Sequence, residues 1–220
     1  MLFHVQLWRG LRTPYISSHQ LNKAEKYSGI WKKTSLLLVV TFVLATISAY
    51  FGIGSEQLSK LIYETTDTQL STIKALFAMG QVLQSVLVTA LIIFFPALIF
   101  WIFTDVEYRK LVVMQLYAAS IFLIEKALIL PMKLYWGLDH ASSPFSIGVI
   151  AQYLTDYELI SNFFGAISLF SIWVIILQFK YLRVITEKSA KYILILILSI
   201  NLFMWVFFAL FTFIKFEVLF

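Results

Sequence analysis

Two stretches of this chain, Thr34–Ile53 and Tyr192–Ile214, run for 20 and 23 residues without one charged side chain. A helix needs about 20 apolar residues to cross the ~30 Å hydrocarbon layer of a bilayer, and few other folds tolerate such runs. Three further segments fit the same ruler: Gln81–Phe103, Leu111–Leu130 and Ile160–Phe179. Strands of a lipid-embedded barrel would instead show short alternating stretches, so helices are expected on both length and periodicity. Composition agrees: 60% of the residues are hydrophobic and 13% charged. Soluble chains run at about 45–50% and about 25%. With no Cys, a disulfide-stapled fold and thiolate metal centres are excluded. The expectation is an all-α, polytopic bundle of five transmembrane helices, divided into an amphipathic, basic segment over residues 1–33 and a membrane domain over 34–220. The first span follows 33 mostly polar and basic residues and lacks a small-residue cleavage pattern, so a cleavable signal peptide is not expected.

Orientation follows from Lys and Arg. Twelve of the 17 basic residues lie in the amino-terminal segment, in the short loop with Arg109 and Lys110, and in the loop from Lys180 to Lys191. Acids such as Glu56, Glu64, Asp139 and Asp156 gather in the other loops. The positive-inside rule then predicts a cytoplasmic amino terminus and an external carboxyl terminus. The basic balance is explained by anionic lipid head groups along that face. A stripe hugging a bilayer has no free face for a duplex, and no nucleic-acid motif accompanies it, so no nucleic-acid partner is expected.

The inner loops, 7 and about 12 residues long, cannot house a nucleotide-binding domain, and no phosphate-cradling Gly motif appears. Phe3, Leu7 and Leu11 recur at helical spacing, with Trp8 beside them and Arg9 and Arg12 opposite. This predicts one interfacial helix ended or kinked by Pro14, acting either as a plain anchor or as a docking helix for a partner. The outer loops, Gly54–Gly80 and Pro131–Leu159, carry amphipathic stretches able to fold back as short helices.

Ionisable residues at membrane depth are costly and are candidates by default. Here they are Glu125 and Lys126, expected either to snorkel and bond a neighbouring helix or to make a proton, cation or subunit contact. Gln81, Gln84, Asn162 and Asn201 are expected to join helices by hydrogen bonds, and Gly165, Ala166 and Ser168 to permit close helix contact. No zinc-protease motif or nucleophile turn appears, and His4, His19 and His140 cannot share one site in this topology. Neither a catalytic residue nor a cofactor or metal site is assigned.

Several motifs resemble the Yip family of five-span membrane proteins, in particular its bacterial branch. Trp8-Arg9-Gly10-Leu11-Arg12-Thr13-Pro14 fits a Trp-x-Gly-Leu-x-x-Pro stretch, and Lys26-Tyr27-Ser28-Gly29-Ile30-Trp31 leads into the first span. Phe170-Ser171-Ile172-Trp173, the basic loop with Ser189-Ala190-Lys191 and a final apolar span fit the closing pattern. Two segments typical of the eukaryotic members are absent, so their link to small GTPases and vesicle traffic does not carry over. The resemblance implies a bacterial cytoplasmic-membrane protein acting as a non-enzymatic accessory subunit of an ABC-type exporter or an antimicrobial-peptide resistance complex. Partner contact is expected from Trp8, Arg9, Arg12 and Trp31, with Arg183, Lys188 and Lys191 close by. The competing expectation is a small oligomeric transporter or channel using Glu125. An intramembrane enzyme stands third.

Overall fold

The longest apolar runs form the longest helices in the computed structural model, which describes residues 2–53, 67–136, 143–155 and 157–213. Four helices there are long and apolar enough to cross a membrane: α3 (Ile30–Tyr50), α4 (Asp67–Phe103), α5 (Tyr108–Trp136) and α9 (Ala190–Phe213). Ahead of them lie β1 (Leu2–His4), α1 (Leu7–Arg12), α2 (Pro14–Asn22) and β2 (Lys26–Ser28). Between α5 and α9 come α6 (Gly148–Leu154), α7 (Glu158–Gly165) and α8 (Leu169–Ile185).

α5 is the axis of the bundle. Ten consecutive residues, Leu111 to Ser120, are buried, as expected of a helix enclosed on all sides. α3 and α4 pack on it from one side, α8 from another, and α1 covers its first turns. The hydroxyls of Thr41 on α3 and Thr89 on α4 share a hydrogen bond at 3.2 Å, a small polar rivet in an apolar interface. Pro96 lies inside α4 and Pro131 inside α5. Each withholds one N–H from the helix ladder, yet both helices continue, and α5 runs five residues past Pro131 to Trp136.

The segment expected as the fourth span, Ile160–Phe179, is two helices. α7 ends at Gly165, and α8 begins after Ser168 with a capping box. Ser168 Oγ accepts the Ser171 N–H, and Ser171 Oγ accepts the Ser168 N–H. These hydroxyls offer the backbone an alternative to the helix ladder, so the helix stops there. The gap is not left bare. Ile147 N–H donates to the Ile167 carbonyl and Leu169 N–H to the Phe145 carbonyl, an antiparallel bridge centred on Ser146 and Ser168. Gly165, expected at a close helix contact, instead ends α7, and a Cβ there would meet open space.

The amino-terminal segment also departs from the single helix expected over Phe3, Leu7 and Leu11. Phe3 lies in β1, which pairs parallel with β2 in the register Leu2–Lys26, Phe3–Tyr27 and His4–Ser28. Phe3 and Val5, two residues apart, are both buried in the core, as residues on one face of an extended chain are. Only then does a six-residue α1 begin. Pro14 does not simply end it: it opens α2 at the first helical position, where its missing N–H costs nothing. Gly29, at φ 87, turns the chain from β2 into α3 in a conformation that favours glycine.

Candidate functional site at the basic end of the bundle

The three basic segments meet at one end of the molecule. α2 packs along α8, and Asn22 Nδ2 donates to the Val184 carbonyl at 3.2 Å. Lys110 Nζ donates to the Asn22 carbonyl at 2.9 Å. Tyr27 on β2 donates its phenol proton to Glu107 at 2.9 Å. The loop after α4 is tied to the loop after α8, because the Thr186 hydroxyl donates to Asp105 at 2.9 Å. Tyr192 adds a bond to the Phe103 carbonyl.

The joint between the amino-terminal segment and the bundle is aromatic. Gly10 of α1 lies against the ring of Tyr117 on α5, where any Cβ would overlap ring carbons. Its carbonyl accepts from the Tyr181 hydroxyl of α8 at 3.1 Å. Tyr117 and Tyr181 pack with ring centroids 5.3 Å apart, and the Ser17 side chain of α2 hydrogen-bonds Tyr181. Four elements thus converge on two rings, and Leu7 and Leu11 pack on the same core.

Two ionisable groups outside the spans are shifted. Asp105 is held below the usual carboxylate range, first by its own backbone N–H, then by the Thr186 hydroxyl and by Lys188. The Tyr27 phenol is pushed above its ordinary value by burial, then by its hydrogen bond to Glu107 and that group's negative charge. Both shifts follow in part from hydrogen bonds that tie this end together.

Trp8 is 71% exposed and Trp31 75%. Arg9 and Arg12 are exposed on α1, while Arg183, Lys188 and Lys191 are exposed around the end of α8 and the start of α9. Trp31 rests against Phe94 at a centroid distance of 6.3 Å and keeps most of its surface free. Lys188 stands near Asp105.

Glu125 and Lys126 are elsewhere. Glu125, half-buried on α5, is hydrogen-bonded by the Ser168 side chain at the start of α8 and feels the charge of Lys126. Lys126 is exposed on the bundle surface. Gln81 donates to the Ile53 carbonyl at 2.8 Å and so ties α4 to the chain beyond α3, as expected of an amide there, whereas Gln84 is exposed. His140 lies outside the described residues.

Of the residues that join the helices most deeply, Asn201 bonds across helices as expected, whereas Gln115 and Gln178 do not stand out in the sequence analysis. Gln178 of α8 donates to Gln115 of α5 at 3.3 Å and accepts from Asn201 of α9 at 3.0 Å, a chain of buried amides across three helices. Gln115 Nε2 is buried and has no hydrogen-bond partner among the described residues. Both glutamines stand alone in apolar surroundings, which is the signal that marks them. Their partnership spans 63 residues and is invisible before folding. Among the described residues no three of His, Cys, Asp and Glu come together as metal ligands. Comparison with protein-family models, with curated proteins and with solved structures finds no match for this chain.

Proposed function

We propose that the chain is a five-span protein of the bacterial cytoplasmic membrane, amino terminus inside and carboxyl terminus outside, and a bacterial member of the Yip family. It serves as a non-enzymatic accessory subunit, organising an ABC-type exporter or an antimicrobial-peptide resistance assembly. α8, 17 residues and so ~26 Å long, supplies the fourth span together with α7. The observation that carries the reading is the joint at Gly10, Tyr117 and Tyr181. It fixes α1 on the bundle and beside α8 while leaving Trp8, Arg9 and Arg12 exposed. An aromatic–arginine surface on a rigid support is what a protein contact needs at its centre, and the surrounding lysines suit anionic head groups.

Gentle pull-down of the tagged protein from native membranes tests this. A stoichiometric ATPase and its membrane partner should accompany it and be lost when residues 1–14 are deleted. A protein that emerges alone, or only with copies of itself, rules the accessory role out.

One observation favours a second reading. Glu125 meets the break between α7 and α8, and helix breaks at membrane depth are where transporters hold ions. Under that reading Glu125→Gln abolishes solute flux in proteoliposomes while assembly survives. Under the accessory reading the purified protein moves no solute.

A further inference from the structure

The amino-terminal segment borders a half-open pocket of about 170 Å³ whose floor is the same joint. Tyr117 and Ser17 form that floor, 1% and 3% exposed, and both are held in place by the packing around Tyr181. The walls carry Arg9, His4, Gln6 and Gln20. Among the described residues no carboxylate lines it. Arg presents five N–H donors and no acceptor, and each amide adds two more. A cavity rich in donors and bearing fixed positive charge selects an anion with many acceptor oxygens. A carboxylate offers two such oxygens, whereas a phosphate offers three or four and suits donors arriving from several sides. The volume admits a phosphate with a few attached atoms. Leu2 and Phe3 complete the lining with an apolar side, on which glycerol or ester carbons would rest.

We propose that this pocket, with Arg9 as its principal cation, binds a phosphate group, carried either by a phospholipid head group or by a small free phosphate. The site does not depend on the accessory reading: a phosphate would bind here whether or not a protein partner docks on α1.

The test uses the full chain in maltoside micelles, which contain no phosphate, at neutral pH. Inorganic phosphate and dihexanoyl phosphatidic acid are titrated separately by calorimetry. Saturable binding of at least one is expected. Binding of both, or of inorganic phosphate alone, identifies a free phosphate as sufficient, and binding of the lipid alone identifies the head group. Arg9→Gln should weaken binding at least tenfold and Gln20→Leu at least threefold, with ligand-free melting temperatures unchanged. Lys23→Gln, which removes an exposed charge from the end of α2 without touching the pocket, should stay within twofold. The proposal is overturned if neither probe binds saturably, if Arg9→Gln and Gln20→Leu bind like the parent chain, or if Lys23→Gln costs as much as Arg9→Gln. The last result would mean diffuse surface charge rather than a site.

Discussion

Gly10 and Tyr117, 107 residues apart, touch so closely that no side chain other than hydrogen fits between them. Gly10 sits within α1 and has no left-handed conformation to explain its identity. It is glycine because the α5 ring occupies the space a Cβ would take. Gly10→Ala should therefore cost about 1–3 kcal/mol by overpacking and loosen α1 and α2 from the bundle. Hydrogen exchange over residues 7–22 should rise, with α3 and α4 unaffected. Tyr117→Leu in the same chain should recover part of the loss, as a double-mutant cycle would show. Unchanged exchange in Gly10→Ala would refute the joint.

The amide chain through Gln115, Gln178 and Asn201 offers a second measurement. Gln178→Leu removes both of its links and strands the Gln115 amide. A loss of about 1–2 kcal/mol is expected, since interhelical hydrogen bonds in membranes contribute about 1 kcal/mol each. The pair Gln115→Leu with Gln178→Leu should cost less than the two single losses added, because no buried amide is then left without a partner. Equilibrium unfolding in mixed micelles reads both. Strict additivity would mean that the two side chains do not act together.

Ser168 does two jobs at the start of α8, capping the helix and bonding Glu125. Ser168→Ala should cost about 1 kcal/mol, the usual value of a lost cap. The Ser171 amide, whose acceptor is removed, should exchange faster. Ser171→Ala should show a similar but separate effect, because the box is reciprocal. An unchanged Ser171 amide would place the helix start elsewhere.

The basic end should respond to pH from both directions. Asp105 has a depressed value in the folded chain, so its contribution is present above the ordinary carboxylate value, about 3.9. It is lost as pH falls through the lower folded value. Tyr27 is raised, so its contribution is present below the ordinary phenol value, about 10, and is lost as pH rises further. Asp105→Asn should flatten the acid limb of a melting-temperature profile and Tyr27→Phe the alkaline limb. Identical profiles in parent and variants would show that neither bond bears on stability.

Much of this architecture was legible in the chain before folding. Runs such as Thr34–Ile53 and Tyr192–Ile214 must be helical where water is absent, because only a helix satisfies its own backbone polar groups. Accordingly α3 and α9 lie close to the expected limits. Three clusters of Lys and Arg separated in the chain meet at one end of the molecule through Asn22, Lys110, Val184, Asp105 and Thr186. These features are local or additive: apolar length and charge count do not depend on what a residue meets.

What depended on partners could not be read in advance. The break at Ser168 needs Phe145 and Ile147 to take up its backbone, and apolarity across Ile160–Phe179 concealed it. β1 exists because β2 lies beside it, and a three-residue strand carries too short a pattern to outweigh the helical spacing of Phe3, Leu7 and Leu11. Gln115 and Gln178 look like isolated amides until α5 and α8 run alongside each other. Hydrophobicity determined which segments become helices, since it acts on each segment alone. Tertiary packing decided which glycine must stay glycine and which polar groups meet, because those are relations between segments distant along the chain.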